Sequence, residues 1–231
     1  MKNKDKSKNI ERRSLVKVIG SAAIAGLAMN ASTTNAQVSE RTQAFQPSRH
    51  NLDSWMGELP GSHRVFIDTS TTQGGIDAMR YAANILNAHK NAYSGRDSDY
   101  AMIACYRHGS TPFAFSEANW EKYGEIFAEI MQLNEPDAGA APRVNPLRVP
   151  NPVFTGTTID DLANRGVQFA ICSSATRFFS GMIAARTGST AEAVFDELTT
   201  NAIPNSRFVP AGVMAMTRAQ EYGYSLLYSA G

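Results

Sequence analysis

The chain has 231 residues, of which 43% are hydrophobic and 19% are charged, and its formal net charge is +1. Residues 1–36 hold seven basic and two acidic side chains, so the remainder has a net charge of −4 and only two lysines. A mildly acidic chain without a basic patch argues against binding to nucleic acid, and no basic amphipathic stretch indicates membrane binding after residue 36. The length suits one domain.

The first 36 residues have the features of an export signal. An uncharged stretch at 18–29 follows the basic start, and it is shorter than the roughly 20 residues that span a bilayer. Residues 12–17, RRSLVK, resemble the twin-arginine motif, and a candidate cleavage site follows Ala36. The alternatives are export by the general secretory route and a disordered basic tail. We expect an exported, periplasmic protein that crosses the membrane by the twin-arginine route, which carries folded proteins, and that keeps no membrane segment afterwards.

Strand-like and helix-like segments alternate after the signal. Residues 37–62 are polar and lack a sustained period, which predicts a linker or arm. Apolar runs predict five strands, at 63–69, 100–106, 167–171, 208–210 and 224–228. Helical spacing or capping signals predict helices at 76–91, 116–131, 157–166, 173–185, from 189 onward and at 214–221. The segment 70–75, with two glycines, is predicted to be a turn.

Residues 132–156 differ from the rest because they hold five of the ten prolines. Regular helices and central strands do not tolerate that density of proline. A long irregular segment within a compact domain is usually a lid, an interface arm or disordered. We interpret it as an insertion.

The alternation predicts the fold class. Strands that are apolar on both faces and alternate with helices indicate a three-layer α/β/α sandwich with a mainly parallel sheet of about five strands, here over residues 63–231. Because the crossovers are right-handed, the loops after the strands open at one edge, where ligands bind. Four segments are expected to meet there, at 69–75, 107–109, 172–174 and 210–212.

Cys172 is the candidate reactive residue. It closes an apolar run and stands where a helix begins. Backbone N–H groups at a helix start favour a thiolate, the reactive form, so Cys172 is a candidate nucleophile or sulfur acceptor. The alternative is a small buried core residue. Cys105 lies deeper in its strand and is predicted to pack in the core; the apolar surroundings of both residues argue against a disulfide.

Arg107 and His108 follow the second strand and are candidates to hold an anion, stabilise a thiolate or move a proton. A surface turn with an arginine ion pair is the alternative. Histidine spacing and the lack of a nucleotide-binding loop motif predict no metal and no cofactor. Further candidate binding positions at the same edge are Ser70, Gly74, Gly75, Ser173, Ser174 and Gly212.

The order of these motifs resembles the DsrE/DsrF-like family. Residues 166–172, GVQFAIC, are similar to its "Gly-Val, apolar strand, Cys" pattern, and 209–213, VPAGV, to its "Val-Pro-x-Gly-Val" pattern. Gln220, Gly223 and Tyr224 fill its "Gln-x-x-Gly-Tyr" pattern. The resemblance covers about residues 64–228.

The resemblance implies a three-layer fold that assembles as trimers or hexamers. In some members a cysteine, matched here by Cys172, passes persulfide sulfur between proteins in sulfur oxidation or tRNA thiolation. This chain differs in its export signal, its length and the Ser-Ser-Ala-Thr that follows the cysteine. Export argues against tRNA thiolation, because that substrate is absent outside the cytoplasm.

Three functions remain open from the sequence. The first is an exported persulfide carrier or sulfur-relay component that uses Cys172 and works with a sulfur-donor or acceptor protein. The second is a non-catalytic, homo-oligomeric binding module for a small anion or a partner protein. The third is a structural role in an exported complex.

Overall fold

A computed structural model describes residues 46–133 and 142–231, which belong to one compact unit beginning at Gln46. The predicted export signal at 1–36, residues 37–45 of the predicted arm and residues 134–141 of the proline-rich segment lie outside the described residues. Within the described ranges, none of the helices combines the length and the apolar character needed to cross a membrane.

Five parallel strands form one sheet, as the sequence predicts, in the order β4-β3-β2-β1-β5. Every strand pair is parallel. The central strands are buried along nearly their whole length, which explains their unbroken apolar sequences. The strands are β1 (His63–Thr69), β2 (Tyr100–Tyr106), β3 (Gln168–Cys172), β4 (Ser206–Val209) and β5 (Ser225–Ser229).

Seven α-helices flank the sheet in the described residues. They are α1 (Trp55–Glu58), α2 (Thr72–Tyr93), α3 (Glu117–Met131), α4 (Ile159–Asn164), α5 (Ser173–Thr187), α6 (Ala191–Thr200) and α7 (Gly212–Glu221). Helices α2 to α6 pack on one face, around a core that includes Trp120, Phe127 and Phe169. Helices α1 and α7 cover the other face, against Phe66 and Ala101. The two helical layers and the sheet between them make the predicted three-layer sandwich.

Side-chain caps fix where several helices begin. Ser116 and Thr158 cap α3 and α4 as predicted. The predicted turn at 70–75 is too long, because Thr71 caps α2 by accepting the N–H of Gly74 at 2.9 Å. The predicted cap Ser189 is wrong by one residue: Thr190 caps α6 by accepting the N–H of Ala193.

Two predicted irregular segments have ordered contacts in their described parts. In the segment 132–156, a single 3-10 turn at Pro146–Arg148 buries Leu147 against the core. In the segment 37–62, α1 buries Trp55 and Met56 against the thinly covered second face of the sheet. Both segments therefore contribute apolar side chains to the folded unit.

The connections that follow β3 and β4 pass over opposite faces of the sheet. From β3 the chain enters α5, on the first face, and from β4 it enters α7, on the second face. In open parallel sheets this change of face leaves a crevice at the carboxyl ends of the two strands, where ligands bind. Cys172 and Val209 are paired across these two strand ends. The topology thus places Cys172 at the crevice.

Candidate functional site

A cavity of about 560 Å³ opens at the carboxyl edge of the sheet, in this crevice. The loop after β2, the junction between β3 and α5, and the loop after β4 all contribute to it, together with α3. Its lining residues are Arg107, His108, Gly109, Ile130, Cys172, Ser174, Ala175, Phe178, Phe179, Ala211 and Val213. Its volume lies in the range of small-molecule sites, roughly 300–1,000 Å³.

Cys172 lies at the boundary of β3 and α5, as the sequence predicts. It is the last residue of β3 and the N-cap of α5, and its Sγ accepts the backbone N–H of Ala175 at 3.4 Å. Its side chain is only 6% exposed, so a reaction partner reaches the sulfur through the cavity. The sulfur thus lies beside the N–H of Ala175, at the positive end of the helix dipole of α5.

Two further hydrogen bonds hold the start of α5 in place. The Thr176 hydroxyl donates to the Cys172 carbonyl at 3.0 Å, and the Ser174 hydroxyl donates to the Pro210 carbonyl at 2.9 Å. The second bond joins α5 to the loop after β4. Ser174 therefore lines the cavity and also connects its two walls.

Arg107 is held by a buried carboxylate rather than left free for a ligand. Its Nε and Nη2 donate to the two oxygens of Asp68 at 2.9 and 2.8 Å, and Asp68 is almost fully buried. The hydrogen bonds to Asp68 raise the pKa of Arg107 above its ordinary value, because they favour the charged guanidinium. Asp68 therefore fixes the position of the Arg107 guanidinium at the cavity and neutralises its charge.

His108 occupies an uncommon backbone conformation beside this pair, with φ of 50°. Its Nδ1 lies 2.9 Å from Nη1 of Arg107, which is always a donor. In this contact Nδ1 is the acceptor, so a neutral His108 carries its proton on Nε2.

A buried hydroxyl network supports the loop that carries His108. The backbone N–H of Arg107 donates to Ser110 Oγ at 3.1 Å, and the hydroxyls of Ser110 and Thr69 are 2.7 Å apart. Gly109 also donates its N–H to the carbonyl of Ser70 at 3.0 Å. These contacts maintain the left-handed residue, and a non-glycine residue in that region is sustained only by such surroundings.

Cys105 is fully buried and unpaired with Cys172, since both cysteines are free. Burial raises the pKa of Cys105 well above its ordinary value. Its sulfur packs against Gly212, where an added Cβ would lie 3.1 Å from Sγ of Cys105. Cys105 is thus packed within the second core cluster, apart from the cavity lining.

The structure brings four of the predicted site residues to the cavity: Cys172, Arg107, His108 and Ser174. The others lie outside its lining. Ser70 Oγ is 2.6 Å from the Tyr228 hydroxyl. Ser173 follows Cys172 at the start of α5, and Gly212 packs against Arg107 and Cys105.

Gly74 and Gly75 lie in the first turn of α2 and have packing contacts there. An added Cβ on Gly74 would lie 2.2 Å from the Ser229 carbonyl oxygen, and one on Gly75 would lie 2.8 Å from the Phe113 ring. The close approach of β5 and of the core explains these glycines without a bound anion.

Several cavity residues were not identified as site residues from the sequence. Helices α3, α5 and α7 supply most of the apolar wall, through Ile130, Ala175, Phe178, Phe179 and Val213. One signal was present: Phe178 and Val213 are apolar residues left exposed on otherwise amphipathic helices. Which residues face each other depends on the tertiary arrangement.

No protein-family model matches this chain, and neither a curated protein nor a solved structure is significantly similar to it. The resemblance to the DsrE/DsrF-like family stays a prediction that depends on the motifs quoted above.

Proposed function

We propose that this protein is a DsrE-like persulfide carrier in which Cys172 accepts and passes on a sulfur atom. One observation carries the proposal: Cys172 lines the cavity between the ends of β3 and β4, and its Sγ accepts an N–H at the start of α5. A sulfur carrier needs a thiol beside a hydrogen-bond donor together with space for the sulfur donor, and Cys172 combines the two.

The proposed step is an exchange of sulfur between thiols. The Cys172 thiolate attacks the outer sulfur of a donor hydrodisulfide, R–S–SH, and forms a new S–S bond. The donor's own S–S bond breaks, and R–S⁻ leaves with that electron pair. The product is Cys172–S–SH, no external oxidant or reductant is consumed, and the reverse reaction with an acceptor thiolate delivers the sulfur.

The neighbouring side chains have assisting roles in this proposal. The Ala175 N–H stabilises negative charge on the attacking sulfur. Nε2–H of His108 is the candidate hydrogen-bond donor to the leaving thiolate, because Arg107 occupies the other ring nitrogen. Arg107 and Asp68 act as positioning residues that fix His108 at the cavity.

Intact-mass spectrometry after exposure to inorganic polysulfide tests the proposal. The wild-type protein and Cys105→Ala are expected to gain the mass of one sulfur atom that a reducing agent removes, and Cys172→Ser is expected to gain none. Cys105→Ala is the control because it removes the other thiol of the chain. Equal uptake by Cys172→Ser, or no uptake by the wild type from either polysulfide or an organic hydrodisulfide, would refute the carrier function.

We extend the proposal to the cellular setting that the sequence predicts. The protein is exported to the periplasm by the twin-arginine route, forms a homo-oligomer and exchanges sulfur with a partner protein. The same mass measurement on protein recovered after export reports the cleavage position, expected after Ala36.

A binding module without sulfur chemistry is the second candidate. It is favoured by the low exposure of Cys172 and by the largely hydrocarbon wall around it. Because Arg107 is already paired with Asp68, this candidate fits an uncharged ligand or an apolar partner segment better than a small anion. In that case Cys172→Ser would retain ligand binding while the wild type took up no sulfur.

A further inference from the structure

We propose that the sulfur donor is a hydrodisulfide whose substituent is uncharged and apolar, and that donors with an anionic substituent are disfavoured. This inference rests on the proposed function, and it defines the substrate class of the same site. It follows from the hydrocarbon side chains that line the cavity, from the pairing of Arg107 with Asp68 and from the volume of the cavity.

Most of the cavity lining around Cys172 consists of hydrocarbon side chains. Ile130 comes from α3, Phe178 and Phe179 come from α5, and Val213 comes from α7. The two phenylalanine rings are 5.9 Å apart in an edge-to-face arrangement, a geometry that a third aromatic or alkyl group extends favourably. A donor substituent that occupies this space replaces water against apolar surface.

The cavity has no free positive charge for an anionic substituent among the residues that line it in the described structure. Arg107 is the only charged side chain of the lining, and Asp68 compensates its charge through two hydrogen bonds. Nδ1 of His108 accepts a hydrogen bond from the same guanidinium. A carboxylate or sulfonate would be desolvated there without a counter-charge, which is strongly unfavourable.

The size of the cavity allows a substituent of this kind. Its volume of about 560 Å³ exceeds what a bare sulfur chain requires. A benzyl or short alkyl hydrodisulfide is small enough for this volume.

A matched pair of donors tests this inference. Benzyl hydrodisulfide and its para-carboxy analogue have nearly the same leaving sulfur and differ in charge at the far end of the ring. We expect sulfur uptake at Cys172, followed by intact mass over time, to be at least about tenfold faster from the benzyl donor. Equal rates, or a faster reaction of the carboxylate, would overturn the inference.

A gain-of-charge variant provides the complementary measurement. Val213 is 48% exposed, so Val213→Lys places an ammonium at the cavity without burying it. This variant should bring the two rates within about threefold of each other, whereas Val213→Met, of similar length and uncharged, should keep the tenfold preference. If Val213→Lys leaves the preference unchanged, the charge of the wall does not select the donor and the inference is wrong.

Inorganic polysulfide separates failure of this inference from failure of the proposed function. Uptake from polysulfide, combined with no preference for the benzyl donor, rejects the substrate class and leaves the carrier function intact. No uptake at Cys172 from any of the three donors rejects both.

Discussion

At the scale of single residues, Arg107 shows what the sequence predicts and what it leaves open. The sequence places Arg107 at the carboxyl edge of the sheet, and the structure confirms that position. It left open whether this arginine binds a ligand or forms an ion pair. The partner, Asp68, is 39 residues away, at the end of β1, and only the pairing of Asp68 with Cys105 in the sheet brings it alongside. The pattern of residues along the chain does not predict which residues of β1 and β2 pair in the sheet.

Because Asp68 is buried and pairs with Arg107 through both carboxylate oxygens, Asp68→Asn should be markedly destabilising. Asparagine keeps one acceptor but leaves the guanidinium without its counter-charge. We expect the free energy of unfolding, measured by urea denaturation, to fall by about 1–3 kcal/mol.

The matched control is Glu125→Gln, the same acid-to-amide change in an exposed ion pair with Arg143. It should change the free energy of unfolding by less than about 0.5 kcal/mol. If the two variants lose equal stability, the contact between Asp68 and Arg107 contributes less to the free energy of unfolding than we expect.

At the scale of secondary-structure elements, the strands were predicted more accurately than the helix starts. Buried parallel strands have continuous apolar sequences, so all five lie within two residues of their predicted starts. Helix starts depend on which hydroxyl reaches back to a free N–H group. The sequence predicts a turn that includes Thr71, because Gly74 and Gly75 follow it, but both glycines are helical. Glycine is required at these two positions by tertiary contacts, because Ser229 and Phe113 leave no room for a side chain.

Gly212 provides a test of how elements pack, because its lack of a side chain sets how closely α7 approaches β2. An added Cβ would lie 2.9 Å from Cβ of Arg107 and 3.1 Å from Sγ of Cys105. We expect Gly212→Ala to lower the free energy of unfolding by about 1–3 kcal/mol, because the start of α7 must shift outward. The same shift should slow sulfur uptake at Cys172, because Ala211 and Val213 line the cavity.

The control for this variant is Gly181→Ala in α5. An added Cβ at Gly181 meets nothing within 4 Å, so alanine should stabilise this exposed helical position by roughly 1 kcal/mol. Opposite signs for the two glycine variants would show that close packing, rather than helix propensity, fixes Gly212. A stabilising Gly212→Ala would contradict the close contact.

At the scale of the whole molecule, the fold class and the working edge of the sheet follow from the sequence, but the wall of the cavity does not. Alternating elements with buried strands allow few arrangements other than a three-layer sandwich, and the carboxyl edge then follows from the crossover rule. The cavity wall combines residues from α3, α5 and α7, which lie far apart in the chain. Their meeting depends on strand order, because β4 lies beside β3 and the chain then crosses to β5 at the opposite edge.

That strand order also leaves the second face of the sheet thinly covered. Among the helices of the described residues, only α7 and the four-residue α1 pack there. Trp55 of α1 is 6% exposed, and the carbonyl of Met56 accepts hydrogen bonds from Arg64 and Tyr224, both at 2.8 Å. The segment before β1 therefore completes the third layer.

We expect Trp55→Ala to lower the free energy of unfolding by about 3–5 kcal/mol, the usual range for removing a buried tryptophan. Leu52→Ala, in the same segment but at a side chain that is 62% exposed, should change it by less than about 0.5 kcal/mol. Urea denaturation of both variants decides the point. A similar small loss in both would mean that α1 contributes little to the fold and that α7 alone stabilises the second face. A large loss confined to Trp55→Ala would mean that the sheet needs this segment to bury its second face.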